Sequence, residues 1–175
     1  IFRRSEWHVL ALSLRTTACN YACMAKAYFF DNARRKHGAL MHEVLSRIRT
    51  RKDIPQSVER YRQEGVIDRE EAASLVARLE ELLSLPEAAS WYDGTARVLN
   101  EVDILFGKGL SKRPDRVMIT GNSVIVIDYK FGEHTDQRYH SQVRNYLKLI
   151  RQMGYGEVEG FLWYVELNKI EAVKG

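Results

Sequence analysis

Cysteine and proline are scarce in this 175-residue chain, which holds two of the first and three of the second. Two thiols make no disulfide framework, and alone they do not complete a zinc site. Cys19 and Cys23 stand one helical turn apart and read as reduced and buried, in keeping with a reducing cytoplasm. The apolar runs fall far short of the ~20 residues a membrane helix needs. No secretory signal, internal repeat or low-complexity tract is visible. The chain begins with Ile1 rather than Met, which reads as a piece excised from a longer protein.

Apolar residues are plentiful. They make up 45% of the chain, enough for one domain with a real core and too many for disorder. The net charge of +4 permits a nucleic-acid partner without demanding one.

Residues 1–33 mix apolar and basic residues without clear period and read as a lead-in from a missing upstream region. In HGALMHEVLSRIRTR, Leu40, Met41, Val44, Leu45 and Ile48 recur at helical spacing. Asp53-Ile54-Pro55 breaks that helix, and a short polar helix is expected over 56–64. Asp68 and Glu71 then form a capping box, as N-cap and third helical residue. Leu75, Val76, Leu79, Leu82 and Leu83 supply the apolar stripe of that helix, and Pro86 marks its end or the start of another turn. These elements compose a helical region over about 53–92. From Ala96 the period changes to two, so ARVLNEVDILF reads as one strand and GKGLSKRP as a loop. A hairpin, the helix QRYHSQVRNYLKLIRQMGY and the strand VEGFLWYVEL follow. A turn at Asn168-Lys169 allows a last pairing through Val173. This order predicts an α/β (α+β) domain over 34–175, a central mixed sheet flanked by helices.

The hairpin RPDRVMITGNSVIVIDYKFGE carries the chemistry. Gly121-Asn122 is a favoured two-residue turn. With that turn Thr120 faces Ser123, Val117 faces Val126, and Asp115 faces Asp128. Opposed residues place their Cβ atoms ~4.5–5.5 Å apart, so the two carboxylates repel unless something offsets them. A divalent cation does so, and an oxygen-rich site suits Mg²⁺ or Mn²⁺. Lys130, two residues beyond Asp128, shares its face. An ammonium there orients an attacking water and steadies developing charge, as phosphodiester hydrolysis requires. Taken alone, Asp115 also suits a turn end, and Asp128 a solvated pair with Lys130. The apolar run before Asp128 marks a central, buried strand.

Pro114-Asp115, then twelve residues, then Asp128-Tyr129-Lys130 resembles the signature of PD-(D/E)XK nucleases. Gly38-Ala39-Leu40-Met41-His42 resembles the G-x-x-x-H helix motif of the RecB-like branch, and Gln142 to Tyr146 its Q-x-x-x-Y motif. The order GALMHEVLSRI, NEVDIL, RPDRV, IDYKFGE, QVRNYL, FLWYV is similar to the C-terminal nuclease domain of bacterial UvrD/AddA-type helicase–nucleases.

This resemblance implies a restriction-endonuclease-like core. It implies a Mg²⁺- or Mn²⁺-dependent deoxyribonuclease, an exonuclease on DNA ends serving double-strand break repair and recombination. Asp115, Asp128, His42 and the Tyr129 carbonyl would hold the metal, and Lys130 would be the catalytic lysine. Gln142 and Tyr146 would bind DNA or brace the site. Glu101 reads either as a supporting acid of the site or as half of a structural ion pair. Arg34, Arg35, Lys36, Lys108, Lys112 and Arg113 can grip phosphates or serve as plain surface charge. Tyr139, His134 and His140 flank the site helix. Some relatives carry an iron–sulfur cluster on four cysteines; with two, this chain is expected to hold none. The P-loop of a motor is missing too, so a helicase motor would lie elsewhere in the natural chain, with a second helicase–nuclease subunit as a further partner. The expected location is the bacterial cytoplasm, at the nucleoid, with no membrane. The competing reading is a catalytically silent DNA-binding scaffold.

Overall fold

The structure is a computed structural model that describes residues 36–106, 110–132 and 135–175. The expected lead-in 1–33, with Cys19 and Cys23, and Arg34, Arg35, Lys108 and His134 lie outside the described residues. The chain divides into two compact units, Ile1–Leu40 and Met41–Gly175.

Helix α1 (36–47) turns Met41, Val44 and Leu45 into the core, with Ile48 just past its end. A short 3₁₀ turn (Arg51–Asp53) leads to α2 (Ile54–Gln63), which carries Pro55 in its first turn, where no donor is lost. Its buried residues Ile54, Val58 and Tyr61 follow the helical period. In α3 (Arg69–Leu82), Asp68 Oδ1 accepts from the backbone N–H of Glu70 and Glu71, both at 2.8 Å. Glu71 Oε2 accepts from Asp68 N–H at 2.8 Å and completes the capping box. The short α4 (Pro86–Ala89) and a 3₁₀ turn (Ser90–Tyr92) close the helical region.

Five strands form the main sheet, in the order β1 (Arg97–Asn100), β4 (Arg116–Thr120), β5 (Ser123–Lys130), β6 (Glu157–Tyr164), β7 (Lys169–Val173). The hairpin register is the one the turn dictates: Thr120 faces Ser123 and Val117 faces Val126. Gly121 takes φ +59° at the first turn position, which a two-residue hairpin accepts readily from glycine. The β4–β5 ladder reaches Arg116 opposite Ile127, one residue short of Asp115. β5 is the middle strand, antiparallel to β4 and parallel to β6. The parallel step needs a crossover, supplied by α5 (Gln137–Gln152). The sheet is therefore mixed, with helices against it.

Both faces of the sheet are covered. Val124, Val126, Val158 and Leu162 pack with Val143, Tyr146, Leu147 and Ile150 of α5. Gly160 allows this close approach: a Cβ there would lie 2.6 Å from Val143 Cγ1 and 2.9 Å from a Leu147 methyl. On the other face Trp91 packs tilted against Phe161, and Trp91, Tyr92 and Tyr129 meet Trp163 edge-on.

One expectation is corrected. ARVLNEVDILF is not a single strand. It breaks after Asn100, where Glu101 adopts φ +52°, and resumes as β2 (Ile104–Phe106). β2 pairs with β3 (Leu110–Lys112) in a separate two-stranded ribbon, so part of the expected loop GKGLSKRP is strand. Alternation of apolar residues continues across the break, and a left-handed residue leaves no trace in that pattern.

Candidate active site

Asp115 immediately precedes β4, Asp128 and Lys130 lie at the end of β5, and Gln142 sits in the second turn of α5. Geometry joins them. Asp115 Oδ2 accepts from the backbone N–H of Tyr129 at 2.6 Å, which ties the two strand ends together. Lys130 Nζ forms a short ion pair with Asp128 Oδ2 and donates to Gln142 Oε1 at 3.4 Å. Gln142 Nε2 donates to Asp128 Oδ1 at 3.3 Å and to the Tyr146 hydroxyl at 2.6 Å. The Tyr146 hydroxyl donates to the carbonyl of Arg113 at 3.2 Å. The ammonium also lies 4.7 Å from the centre of the Tyr139 ring, within cation–π range.

His42 stands beside this network, with Nε2 3.3 Å from Asp115 Oδ1 and 3.4 Å from Glu101 Oε1. One ligand atom each from His42, Glu101 and Asp115 falls within 4.8 Å of the other two. Glu101 thus joins the cluster, whereas Asp103, two residues on, pairs with Arg113 at 3.0 Å. The backbone break explains the separation: Glu101 N–H donates to the Asp115 carbonyl at 3.0 Å, and the strained φ aims the side chain at His42. Asp128 lies one step away, committed to Lys130 and Gln142. Lys112 and Arg113 are exposed, and His140 pairs with Glu171 at 3.0 Å.

The electrostatics show a crowded anionic centre. Burial first, then the Asp115 charge, raises Asp128 to a pKa of about 6, against the pull of Lys130. Burial and Asp115 likewise raise Glu101. The hydrogen bond to Asp115 raises His42, with burial opposing. Burial pushes Tyr146 up to about 12. Three carboxylates converge on one imidazole and one ammonium, and among the described residues the buried Glu101 Oε1 has no hydrogen-bond donor. An imidazole with several carboxylate oxygens is a donor set that fits a divalent cation.

Sequence reasoning passed over two residues. Arg116 is wholly buried and Asn100 partly so, and both bind the end of α1. An arginine inside a strand pattern carries no sequence signal for burial.

The mixed sheet, its flanking helices and the aspartate–aspartate–lysine constellation at two adjoining strand ends define a restriction-endonuclease-like fold. The PD-(D/E)XK nuclease superfamily matches residues 19–175, and the chain belongs to that family. Nucleases of this superfamily use divalent metals. A comparison with curated proteins finds no match.

Proposed function

We propose that the chain is a divalent-metal-dependent deoxyribonuclease that hydrolyses phosphodiester bonds at DNA ends. We further propose that it serves as the nuclease domain of a RecB-like helicase–nuclease in double-strand break repair. The observation that carries the reading is Lys130, held by Asp128 and Gln142 beside the cluster of His42, Glu101 and Asp115. The RecB-like assignment is supported by a histidine on α1 meeting Asp115, and by Gln142 and Tyr146 acting as a pair.

His42, Asp115 and Glu101 would hold the cation, with Asp128 and the Tyr129 carbonyl completing the set. The bound cation supplies charge neutralisation at the phosphate and lowers the pKa of water. The remaining work falls to side chains. The Lys130 ammonium orients the attacking water and donates to the oxygen that gains negative charge. Gln142 fixes Lys130 from one side and Asp128 from the other. Tyr146 anchors Gln142 to the backbone of Arg113, which precedes the Pro114-Asp115 pair. Water attacks phosphorus and gives up a proton to solvent, the P–O ester bond breaks, and the leaving oxygen takes a proton in return.

The test is degradation of labelled linear and circular DNA with Mg²⁺ or Mn²⁺, beside Lys130→Ala and Asp128→Ala. Linear DNA should be shortened and closed single-stranded circles spared. Chelator and either substitution should reduce the rate at least ~100-fold, the scale of losing a charge-stabilising group. Full activity in both variants would remove the site assignment. A wild type that binds DNA but neither metal nor cuts would leave the scaffold reading.

A further inference from the structure

Arg116 is fully buried, yet none of its described partners is a carboxylate. Its guanidinium instead donates to backbone carbonyls: Ile48 at 2.8 Å, Arg49 at 2.8 Å and Trp91 at 2.6 Å. It reaches the Asn100 side-chain oxygen at 3.4 Å and stacks 4.0 Å from the centre of the Tyr92 ring. Asn100 works on the same target, donating to the carbonyls of Ser46 at 2.7 Å and Ile48 at 3.2 Å. Asn100 therefore caps a carbonyl in the last turn of α1, where carbonyls lack partners inside the helix, and both residues hold the backbone that leaves it at Ile48 and Arg49. A cation there also complements the helix dipole.

Their place in the chain matters as much as their contacts. Asn100 and Arg116 are direct partners across β1 and β4. Glu101 follows Asn100, and Asp115 precedes Arg116. His42 rides on the helix that both residues hold. Each member of the His42–Glu101–Asp115 cluster is thus one residue, or one short helix, from this cross-strand pair.

We propose that Asn100 and Arg116 form a clasp that positions the metal-binding cluster, setting α1 against the strand ends so that His42, Glu101 and Asp115 converge. This rests on the nuclease reading above. The pair are positioning residues; neither belongs to the cluster itself. Arginine is required because its planar fork serves three carbonyls at once, and a lysine ammonium on its flexible stem cannot span them. A loosened clasp lets α1 shift, and a displacement of ~1 Å is enough to spoil such a site.

The experiment compares the wild type with Arg116→Lys, Asn100→Ala and a control of equal thermal loss, Leu79→Ala, which cuts into the core at α3. Calorimetry with Mn²⁺, well below each melting temperature, reads the site without relying on turnover. Steady-state cleavage separates kcat from KM. We expect Arg116→Lys to weaken Mn²⁺ binding at least tenfold and to lower kcat with KM for DNA unchanged. Asn100→Ala should weaken it several-fold, and Leu79→Ala should leave it as in the wild type. If Arg116→Lys does not fold, the Asn100→Ala result decides. Equal Mn²⁺ affinity in wild type and clasp variants, or an equal loss in Leu79→Ala, overturns the clasp. A wild type that binds no Mn²⁺ overturns the nuclease reading first, and the clasp with it.

Discussion

Asp128 is the residue at which burial and charge conflict most openly. It is 1% exposed and lies near Asp115, so its carboxyl holds its proton up to about pH 6 in the metal-free fold. A carboxyl whose folded pKa is raised contributes most stability below its ordinary value of 3.8 and loses it as pH climbs through about 6. The ionised form therefore destabilises the metal-free protein at neutral pH. Asp128→Asn keeps the shape of the protonated acid without that penalty. In chelator at pH 7.5 this variant should be more stable than the wild type by on the order of 2 kcal/mol. The gap should narrow as pH falls from 6 and close below about 4. Urea melts across that range check it, and a less stable variant at pH 7.5 would refute the electrostatic account. His42 titrates in the same sense, so protons and metal compete for one set of ligands.

Among the elements, α5 and β6 show how tightly the site is held from behind. Gly160 is the contact that lets the helix lie close, and Gln142 is one residue from Val143, which that glycine touches. Gly160→Ala should cost about 1–3 kcal/mol through overpacking. It should also push the Gln142 turn away from Lys130, lowering cleavage more than DNA binding. Thermal melts and paired kinetic and binding assays check both effects. Sequence legibility was greatest at this scale. The Gly121-Asn122 turn set the β4–β5 register, and Asp68 with Glu71 announced the start of α3. Both signals are local hydrogen-bonding demands that a few residues satisfy by themselves. The break at Glu101 was hidden because apolar alternation runs straight through it. The ribbon of β2 and β3 was hidden because a pairing between short strands depends on where that break sends the chain. Arg116 escaped notice because burial of a charge is decided by carbonyls of Ile48, Arg49 and Trp91, which are distant in sequence.

At the scale of the whole molecule, the candidate ligands come from α1, the end of β1, the start of β4 and the end of β5. None of these segments brings two of His42, Glu101 and Asp115 by itself. The cluster exists only once the helix, both strands and the clasp between them have docked. This dispersal governs folding kinetics. The unfolded chain offers a cation no formed pocket, and contacts of long sequence separation mature late. A cation that engages only the finished arrangement slows unfolding and leaves the folding rate unchanged. Stopped-flow measurements with and without Mn²⁺ should move the unfolding limb of the chevron alone; a faster folding limb would place the cluster in the transition state. The loaded protein is then long-lived rather than quick to form, and its lifetime is set by how seldom α1 lifts from the strand ends.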